Sequence, residues 1–200
     1  MISNLFKSLR LTIAFCLFFS VFYIFVLWLF AQVAGPNKGN AELVTLNGKV
    51  VGAANVGQNF TQDIYFWGRP SHAGDGYDAS SSAGSNKGPS NAVSYTHLTL
   101  HLALLEERID TFLVHHPYLT REKVPAEIIT ASSSGLDPHI SPKAAYVQAK
   151  RVADARGWSE EKVMTIVNSH VEKPLLGMFG TEKVNVLKLN VALDKAAENK

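Results

Sequence analysis

His97 and His101 are the residues whose spacing comes nearest to that of a metal site. They stand four residues apart, and on a helix this spacing can place two imidazoles on one metal ion. The sequence around them offers no third ligand at a matching distance, and His115 and His116 lie too far along the same predicted helix to join them. We therefore predict that these histidines are ordinary helix residues and that the chain has no metal site.

Residues 132–134, Asp137 and His139 have the types of a serine hydrolase triad, since three serines, a carboxylate and an imidazole fall within eight positions. A nucleophile, its base and a carboxylate must converge in space, which neighbours within one turn rarely do. Asp137 followed by proline is also typical of a turn. A structural role is preferred, and a membrane-anchored extracytoplasmic serine hydrolase remains the alternative function.

Two nucleotide-binding patterns can be excluded. Residues 74–79 (GDGYDA) match the spacing of a dinucleotide fingerprint, but they neither follow a predicted strand nor open a predicted helix. The G-x-x-x-x-G-K-[ST] phosphate loop occurs nowhere in the sequence. The net charge of +2 also argues against a nucleic-acid partner, which would need a concentrated basic face.

Gln148 is a polar residue on an otherwise apolar face of a predicted helix. It shares that face with Ala145 and Val152. A buried polar group needs a hydrogen-bond partner. The backbone of the domain could supply this partner, and so could a bound ligand or protein; the sequence leaves both open.

These residues must be positioned by a chain that carries a long uncharged run, residues 11–34, near its N-terminus. A helix over this run is about 36 Å long, enough to cross the roughly 30 Å hydrocarbon core of a bilayer. A cleaved signal peptide has a shorter apolar region of about 7–15 residues and a small-x-small cleavage site, which is missing here. We predict an uncleaved transmembrane helix in contact with membrane lipid.

Charge determines the predicted orientation of this helix. Lys7 and Arg10 precede it, whereas only Lys38 follows closely. The positive-inside rule then places residues 1–10 in the cytoplasm and residues 35–200 outside it. The predicted protein is single-pass, and its C-terminal domain is extracytoplasmic.

Thr12, Cys16 and Ser20 recur every four residues and so share one face of the predicted transmembrane helix. Small residues at this spacing let a partner helix approach closely. A helix of this length also carries small residues by chance, and both interpretations stay open. Cys16 is the only cysteine, so we expect no disulfide in the outer domain.

Residues 35–200 are predicted to form a single α+β domain. Residues 43–60 suggest a hairpin, because Asn47-Gly48 supplies the positive φ angles of a tight turn. Residues 71–91 are rich in Gly, Ser and Asn and are predicted to be a long surface loop. Short runs of apolar and β-branched residues suggest three strands, at 64–67, 128–131 and 184–191.

Three helices are predicted in the same domain. The first covers residues 98–115, where leucine and isoleucine recur at spacings of three and four. The second opens with Ser141 as N-cap and Pro142 at the first helical position, and it ends at Gly157. Ser159 caps the third, which extends to about residue 171.

Four motifs occur in an order that identifies a family: residues 66–71 (FWGRPS), 84–91 (GSNKGPSN), 129–157 (ITASSSGLDPHISPKAAYVQAKRVADARG) and 179–194 (FGTEKVNVLKLNVALD). With one N-terminal span ahead of them, the chain closely resembles the KdpC subunits of bacterial high-affinity potassium-transporting P-type ATPases. The resemblance covers nearly the whole chain. Residues 92–105 depart from the family's pattern, through either real divergence or a sequence error.

The resemblance implies a non-hydrolytic accessory subunit of an ATP-driven potassium import complex in the bacterial inner membrane. Its implied partners are a pore-forming potassium-translocating subunit and a P-type ATPase catalytic subunit, whose assembly it would stabilise. The resemblance implies no catalytic residue and no tightly bound cofactor. It also implies that ATP is reached through the complex, with a nucleotide contact at Gln148. The motif residues that it assigns to assembly are Gly68, Arg69, Pro70, Ser85, Asn86, Ser134, Gly135, Leu136, Asp137, Pro138, Ser141, Asn185 and Asn190.

Overall fold

The chain forms two compact units, Met1–Glu42 and Leu43–Lys200, and the computed structural model describes residues 2–84 and 98–198 of it. The first unit is helical. The second combines helices with two small antiparallel sheets. The predicted α+β class is therefore confirmed.

The N-terminal unit is an apolar helix whose winding changes near its centre. It consists of α1 (Ile2–Leu17), a π-helical segment (Phe18–Tyr23) and α2 (Ile24–Ala34). Residues Asn4–Ala34 are long and apolar enough to cross a membrane, and none of their most apolar 18-residue window is buried. A core helix of a soluble protein would be mostly buried, so this surface fits a single-pass membrane protein.

The predicted face of small residues crosses this change of winding. Thr12 and Cys16 lie in α1, and Ser20 lies in the π-helical segment. All three are exposed in the described structure. Short π-helical segments within α-helices often occur at functional sites. Packing of a partner helix on this face stays a prediction.

The hairpin predicted around Asn47-Gly48 is confirmed, because β1 (Leu43–Leu46) pairs antiparallel with β2 (Lys49–Ala53). The two turn residues have φ angles of 51° and 75°, values that asparagine and glycine adopt most readily. The second sheet has the strand order β3-β5-β4, with β3 at His139–Ile140, β4 at Val171–Glu172 and β5 at Lys183–Asn185.

The three predicted helices are also confirmed. The helices of this part of the chain are α3 (Leu98–His115), the single turn α4 (Ala126–Ile129), α5 (Pro142–Arg156) and α6 (Glu160–Ser169). The Ser141 hydroxyl accepts a hydrogen bond from Ala144 N–H at 3.2 Å and so caps α5. Gly157 ends this helix with a φ of 62°.

Replacing Ser141 with alanine is expected to lower the free energy of unfolding by about 1 kcal/mol, because Ala144 N–H loses its cap. The hydroxyl also donates to Glu127, and this contact is lost as well. Urea unfolding of the purified chain, followed by tryptophan fluorescence, measures the change. The control is Ser133→Ala at an exposed position, where the change should stay below about 0.5 kcal/mol. Equal effects of the two substitutions would contradict the capping role.

The strand predicted at 184–191 is largely wrong, because β5 ends at Asn185 and α7 (Val186–Glu198) begins at the next residue. The Asn185 side chain accepts a hydrogen bond from Lys188 N–H at 3.0 Å, as an N-cap residue does. The apolar residues of this run also recur at helical spacing, so the same run fits a helix as well as the alternation of apolar and polar residues fits a strand. The α7 helix buries Val186, Leu187, Leu189, Asn190, Val191 and Leu193.

The other two predicted strands are wrong as well. Residues 128–131 begin inside α4, where Thr130 N–H donates to Ala126 O at 2.9 Å. Residues 64–67 run through the domain as irregular chain. Of the predicted loop at 71–91, residues 71–84 are described, and they contain one short 3-10 turn, Ala79–Ser81.

The core of the second unit lies where α5, α6 and α7 meet. The α5 helix presents small residues to this core, so the neighbouring elements approach its backbone closely. The fully buried apolar residues include Phe66, Ile140, Ala144, Ala145, Ala149, Val152, Val163, Val167, Val184, Leu189 and Leu193.

Candidate functional site

Residues 64–67 are held in place by side-chain amides from two helices. Gln148 Oε1 accepts a hydrogen bond from Trp67 N–H at 2.8 Å, and Gln148 Nε2 donates to Trp67 O at 3.2 Å. Asn190 does the same for Phe66, with Oδ1 accepting at 2.8 Å and Nδ2 donating at 3.0 Å. Each amide thus satisfies the N–H and the carbonyl of one residue, as a neighbouring strand would.

Gln148 is fully buried, and both ends of its amide are occupied within the domain. Besides Trp67, its Nε2 donates to Ala144 O at 3.1 Å, and its Oε1 accepts from Arg151 Nη2 at 2.9 Å. These contacts supply the partner that the sequence requires for a buried glutamine. A nucleotide contact at Gln148 stays a prediction, and in this structure its amide has no free hydrogen-bonding group to offer.

Arg151 is the charged centre of this cluster, with a side chain that is only 4% exposed. It stacks over Trp67, with 4.1 Å between the guanidinium carbon and the ring centroid. Burial lowers the pKa of Arg151 to about 10, so the group stays charged at neutral pH. Its hydrogen-bond acceptors include Asp63 O at 2.6 Å, Tyr65 O at 3.0 Å, Gln148 Oε1 at 2.9 Å and His116 Nε2 at 3.0 Å.

His116 accepts the Arg151 hydrogen bond because its other ring nitrogen carries the proton. Its Nδ1 lies 2.7 Å from Phe112 O, which can only accept, and this assigns the proton to Nδ1. The imidazole is fully buried and stacks on the Phe112 ring at 3.8 Å between centroids. Burial, more than any other cause, lowers the pKa of His116 to about 4, so the folded protein holds it neutral.

Because His116 is buried in its neutral form, we expect the free energy of unfolding to fall as the pH drops below about 6.5. The unfolded chain binds a proton near its ordinary pKa of 6.5, whereas the folded chain does not bind it until about pH 4. The contribution of the neutral imidazole to the free energy of unfolding is therefore fully present above about pH 6.5. It decreases by roughly 1.5–2 kcal/mol between pH 6.5 and pH 5. His116→Gln, which can still accept from Arg151, should show a shallower loss over this window. Identical pH profiles of the two proteins in urea unfolding would contradict the assignment.

Arg69 and Asp137 join the first family motif to the third. Arg69 Nη1 lies 3.3 Å from Asp137 Oδ2, and Arg69 Nη2 donates to Ala131 O at 3.3 Å. Arg69 Nε is buried and has no partner among the described residues. Asp137 also accepts from Ser132 Oγ at 3.1 Å and from His139 N–H at 3.0 Å, so its carboxylate organises the turn around it.

Tyr77 and Ser71 fix the chain that follows Arg69. Ser71 Oγ donates to Gly135 O at 2.5 Å and accepts from Tyr77 N–H at 2.9 Å, and the Tyr77 hydroxyl donates to Arg69 O at 2.6 Å. Burial raises the pKa of Tyr77 to about 12, so the phenol keeps its proton. A Cβ at Gly68 would lie 2.7 Å from the Tyr77 hydroxyl oxygen, so a larger residue there would displace the Tyr77 side chain.

Several other motif residues contribute to the same framework. Gly135 has a φ of 69°, and a Cβ there would lie 2.2 Å from Ala83 O. Asn185 Nδ2 donates to Ala54 O at 2.6 Å. The carbonyls of Leu136 and Pro138 accept from Gly57 N–H and Val186 N–H, both at 2.9 Å, and Ser134 Oγ accepts from Leu136 N–H at 3.3 Å. Ser85, Asn86 and His97 lie outside the described residues, as does the side chain of His101.

A cavity of about 620 Å³ lies between α3 and the segment that carries Gly68 and Arg69. Its walls combine aromatic and apolar residues with about as many polar and charged ones. Arg108, on its α3 side, donates to Ile129 O at 2.9 Å. The lining side chains include Phe60, Trp67, Arg69, Tyr77, Arg108 and Phe112.

The residues considered for a hydrolase triad lie close together, but they do not form a catalytic triad. Ser132 donates to the carboxylate of Asp137, and no hydrogen bond joins a serine of residues 132–134 to the His139 ring in the described structure. His139 Nδ1 is 3.8 Å from Asp137 Oδ1, beyond hydrogen-bond distance. A serine nucleophile needs an imidazole beside its hydroxyl, and this arrangement does not supply one.

Sequence reasoning missed Arg151, His116 and Tyr77 as parts of the site. Arg151 follows Gln148 by three residues and so lies next to it on the surface of α5. This spacing was a local signal, but arginine is mostly found exposed, so the sequence alone did not indicate a buried position. His116 lies 35 positions from Arg151, and Tyr77 contacts Ser71 and Arg69 within an irregular segment, so no helical or strand periodicity marked either residue.

Comparisons with known proteins identify similar chains over nearly the whole length. The family model described as KdpC, the c chain of K+-transporting ATPase, matches residues 5–195. A protein of Bacteroides thetaiotaomicron is 71% identical over 192 residues, covering 96% of this chain and 98% of its own. One from Flavobacterium psychrophilum is 50% identical with the same coverage, and one from Caldanaerobacter subterraneus is 41% identical over 94% of this chain and 92% of its own. All three are named Potassium-transporting ATPase KdpC subunit.

Proposed function

Because this chain belongs to the KdpC family of K+-transporting ATPase c chains, we propose that it stabilises the assembly of an ATP-driven potassium import complex. KdpC chains are subunits of that ATPase and not its catalytic chain. The partners in this proposal are a pore-forming potassium-translocating subunit and a P-type ATPase catalytic subunit. The outer domain covers the external entrance of the pore, and the N-terminal helix packs on the pore subunit.

The observation that carries this proposal is the set of hydrogen bonds that the motif residues make. Arg69, Asp137, Asn185 and Asn190 all make their hydrogen bonds within the domain. A catalytic site would keep an activated group facing substrate, whereas an assembly subunit needs a surface of defined shape. The motif residues support the role of an assembly subunit, because their hydrogen bonds hold irregular segments of the chain in defined positions.

The proposed location is the bacterial inner membrane, with the N-terminus in the cytoplasm and the second unit outside. Residues Asn4–Ala34 have the length and apolarity of a span. Lys7 and Arg10 supply the positive charge on the cytoplasmic side. An alkaline phosphatase fused after residue 200 should be active in intact cells, and an inactive fusion would reverse the orientation.

In this proposal, ATP is bound by the catalytic subunit, and Gln148 influences ATP use only through the fold. Its amide already has partners at both ends. The proposed topology also places it outside the cytoplasm, where ATP is scarce. An effect of Gln148 substitutions on ATP use would then follow from a weakened complex.

Affinity purification of the tagged full-length chain from cells grown at limiting potassium tests the proposal. A multi-span channel-like subunit and a P-type ATPase should purify with it, and deletion of its gene should abolish growth at limiting potassium. A chain that purifies alone and a deletion that leaves growth intact would overturn the proposal. Ser132→Ala tests the hydrolase alternative, which requires an esterase or peptidase activity that this change removes while growth at limiting potassium is intact.

A further inference from the structure

Residues 174–180, between β4 and β5, form a turn that exposes four large apolar side chains. Their exposed fractions are 71% for Leu175, 78% for Leu176, 74% for Met178 and 63% for Phe179. Single exposed apolar residues are normal on a protein surface, but a contiguous apolar patch marks an interaction site. We name residues 174–180 the apolar turn.

The backbone of the apolar turn is closed by its own hydrogen bonds. Leu175 and Phe179 exchange two, at 3.1 and 3.0 Å, and Gly177 N–H donates to Pro174 O at 2.9 Å. The backbone positions from which the four side chains project are therefore fixed. Such preorganisation reduces the entropy lost when a partner binds.

The backbone at Leu176 shows that an apolar side chain is placed here against local preference. Leu176 and Gly177 have φ angles of 54° and 72°, almost those of Asn47 and Gly48 in the β1–β2 turn, at 51° and 75°. Asparagine accepts this conformation readily, whereas leucine is strained in it. The same chain thus uses the favoured residue in one turn and a strained leucine in the other. Strain of this kind is maintained where a side chain has a function.

We propose that the apolar turn docks into an apolar pocket on the pore-forming subunit of the transport complex. This inference rests on the function proposed above, which supplies the partner. Leucine, methionine and phenylalanine on a convex, preformed turn match a concave apolar surface. Aromatic residues and methionine are also enriched in the buried centres of protein interfaces.

Charge and shape favour a protein pocket over a lipid surface or a second copy. Residues 172–183 carry two acidic and two basic side chains, and Lys183 lies 3.7 Å from Glu172. This balance offers no attraction to anionic lipid, and residues 174–180 lack the tryptophan and tyrosine typical of membrane interfaces. Two convex turns cannot enclose each other, so a symmetric pair would not reach the roughly 1,000 Å² of a specific interface.

Leu176→Asn in the full-length chain separates docking from folding. Asparagine suits the backbone, so the melting temperature of the purified chain should rise or stay unchanged, while the amount of pore subunit that purifies with it should fall at least tenfold. Val114→Asn is the matched control, because Val114 is 77% exposed and lies on α3; it should retain the pore subunit within twofold. Equal retention by Leu176→Asn and the wild type would overturn the docking role.

Photo-crosslinking identifies the occupant directly. Phe179 is replaced by p-benzoylphenylalanine in the assembled complex, with the same replacement at Val114 as control. A crosslink from position 179 to the pore subunit, absent from position 114, supports the proposal. Adducts with lipid alone, or with a second copy of this chain, overturn it. If no partner purifies with the wild-type chain, the proposed function is wrong as well. If partners purify with the wild-type chain and only the variants contradict the expectation, the docking site alone is wrong.

Discussion

Replacing Gln148 with leucine is expected to lower the free energy of unfolding by about 2–4 kcal/mol, because several buried polar groups lose their partners at once. Leucine has a similar volume, so little of the loss comes from packing. The orphaned groups are Trp67 N–H and Trp67 O, together with one donor of Arg151. Urea unfolding of the full-length chain, followed by tryptophan fluorescence, measures this change.

Two further variants show what the Gln148 result means. Gln148→Glu keeps an acceptor for Trp67 N–H and should cost less than leucine. Lys150→Leu, at an exposed position on the same helix, should change stability by less than about 0.5 kcal/mol. If Gln148→Leu left unfolding unchanged but weakened ATP binding by the complex, the nucleotide contact would replace the structural role.

Replacing Arg151 with methionine is expected to cost about 3–5 kcal/mol, because several buried acceptors lose their donor at once and each such loss costs about 1–3 kcal/mol. Methionine fills much of the space and can still pack on Trp67. It leaves Asp63 O, Tyr65 O and His116 Nε2 without their donor. The same urea titration reports the loss.

Arg151→Lys is the informative comparison for this position. Lysine keeps the positive charge but cannot reach all the acceptors with a single ammonium group. We expect a loss between that of methionine and zero. If lysine restored full stability, charge alone would account for Arg151, and if methionine cost nothing, water would satisfy the carbonyls in its place.

Much of the fold followed from local signals in the sequence. Asn47-Gly48 predicted the hairpin, and Ser141, Pro142 and Gly157 predicted both ends of α5, because capping and positive φ depend on a few adjacent residues. The strands at 64–67 and 184–191 were wrong for a different reason. A short apolar alternation fits a strand, a helix face or an extended segment, and distant contacts choose among them.

The apolar run at residues 11–34 and the family motifs were determined by the sequence itself, since apolar length and residue order need no tertiary contact to be recognised. Only the tertiary structure showed what those motif residues do. Gln148 and Asn190 stand 42 positions apart, yet their amides pair with the adjacent residues Phe66 and Trp67. A side-chain amide can hydrogen-bond to any main chain that the fold brings within about 3 Å, and its own sequence neighbourhood does not specify which.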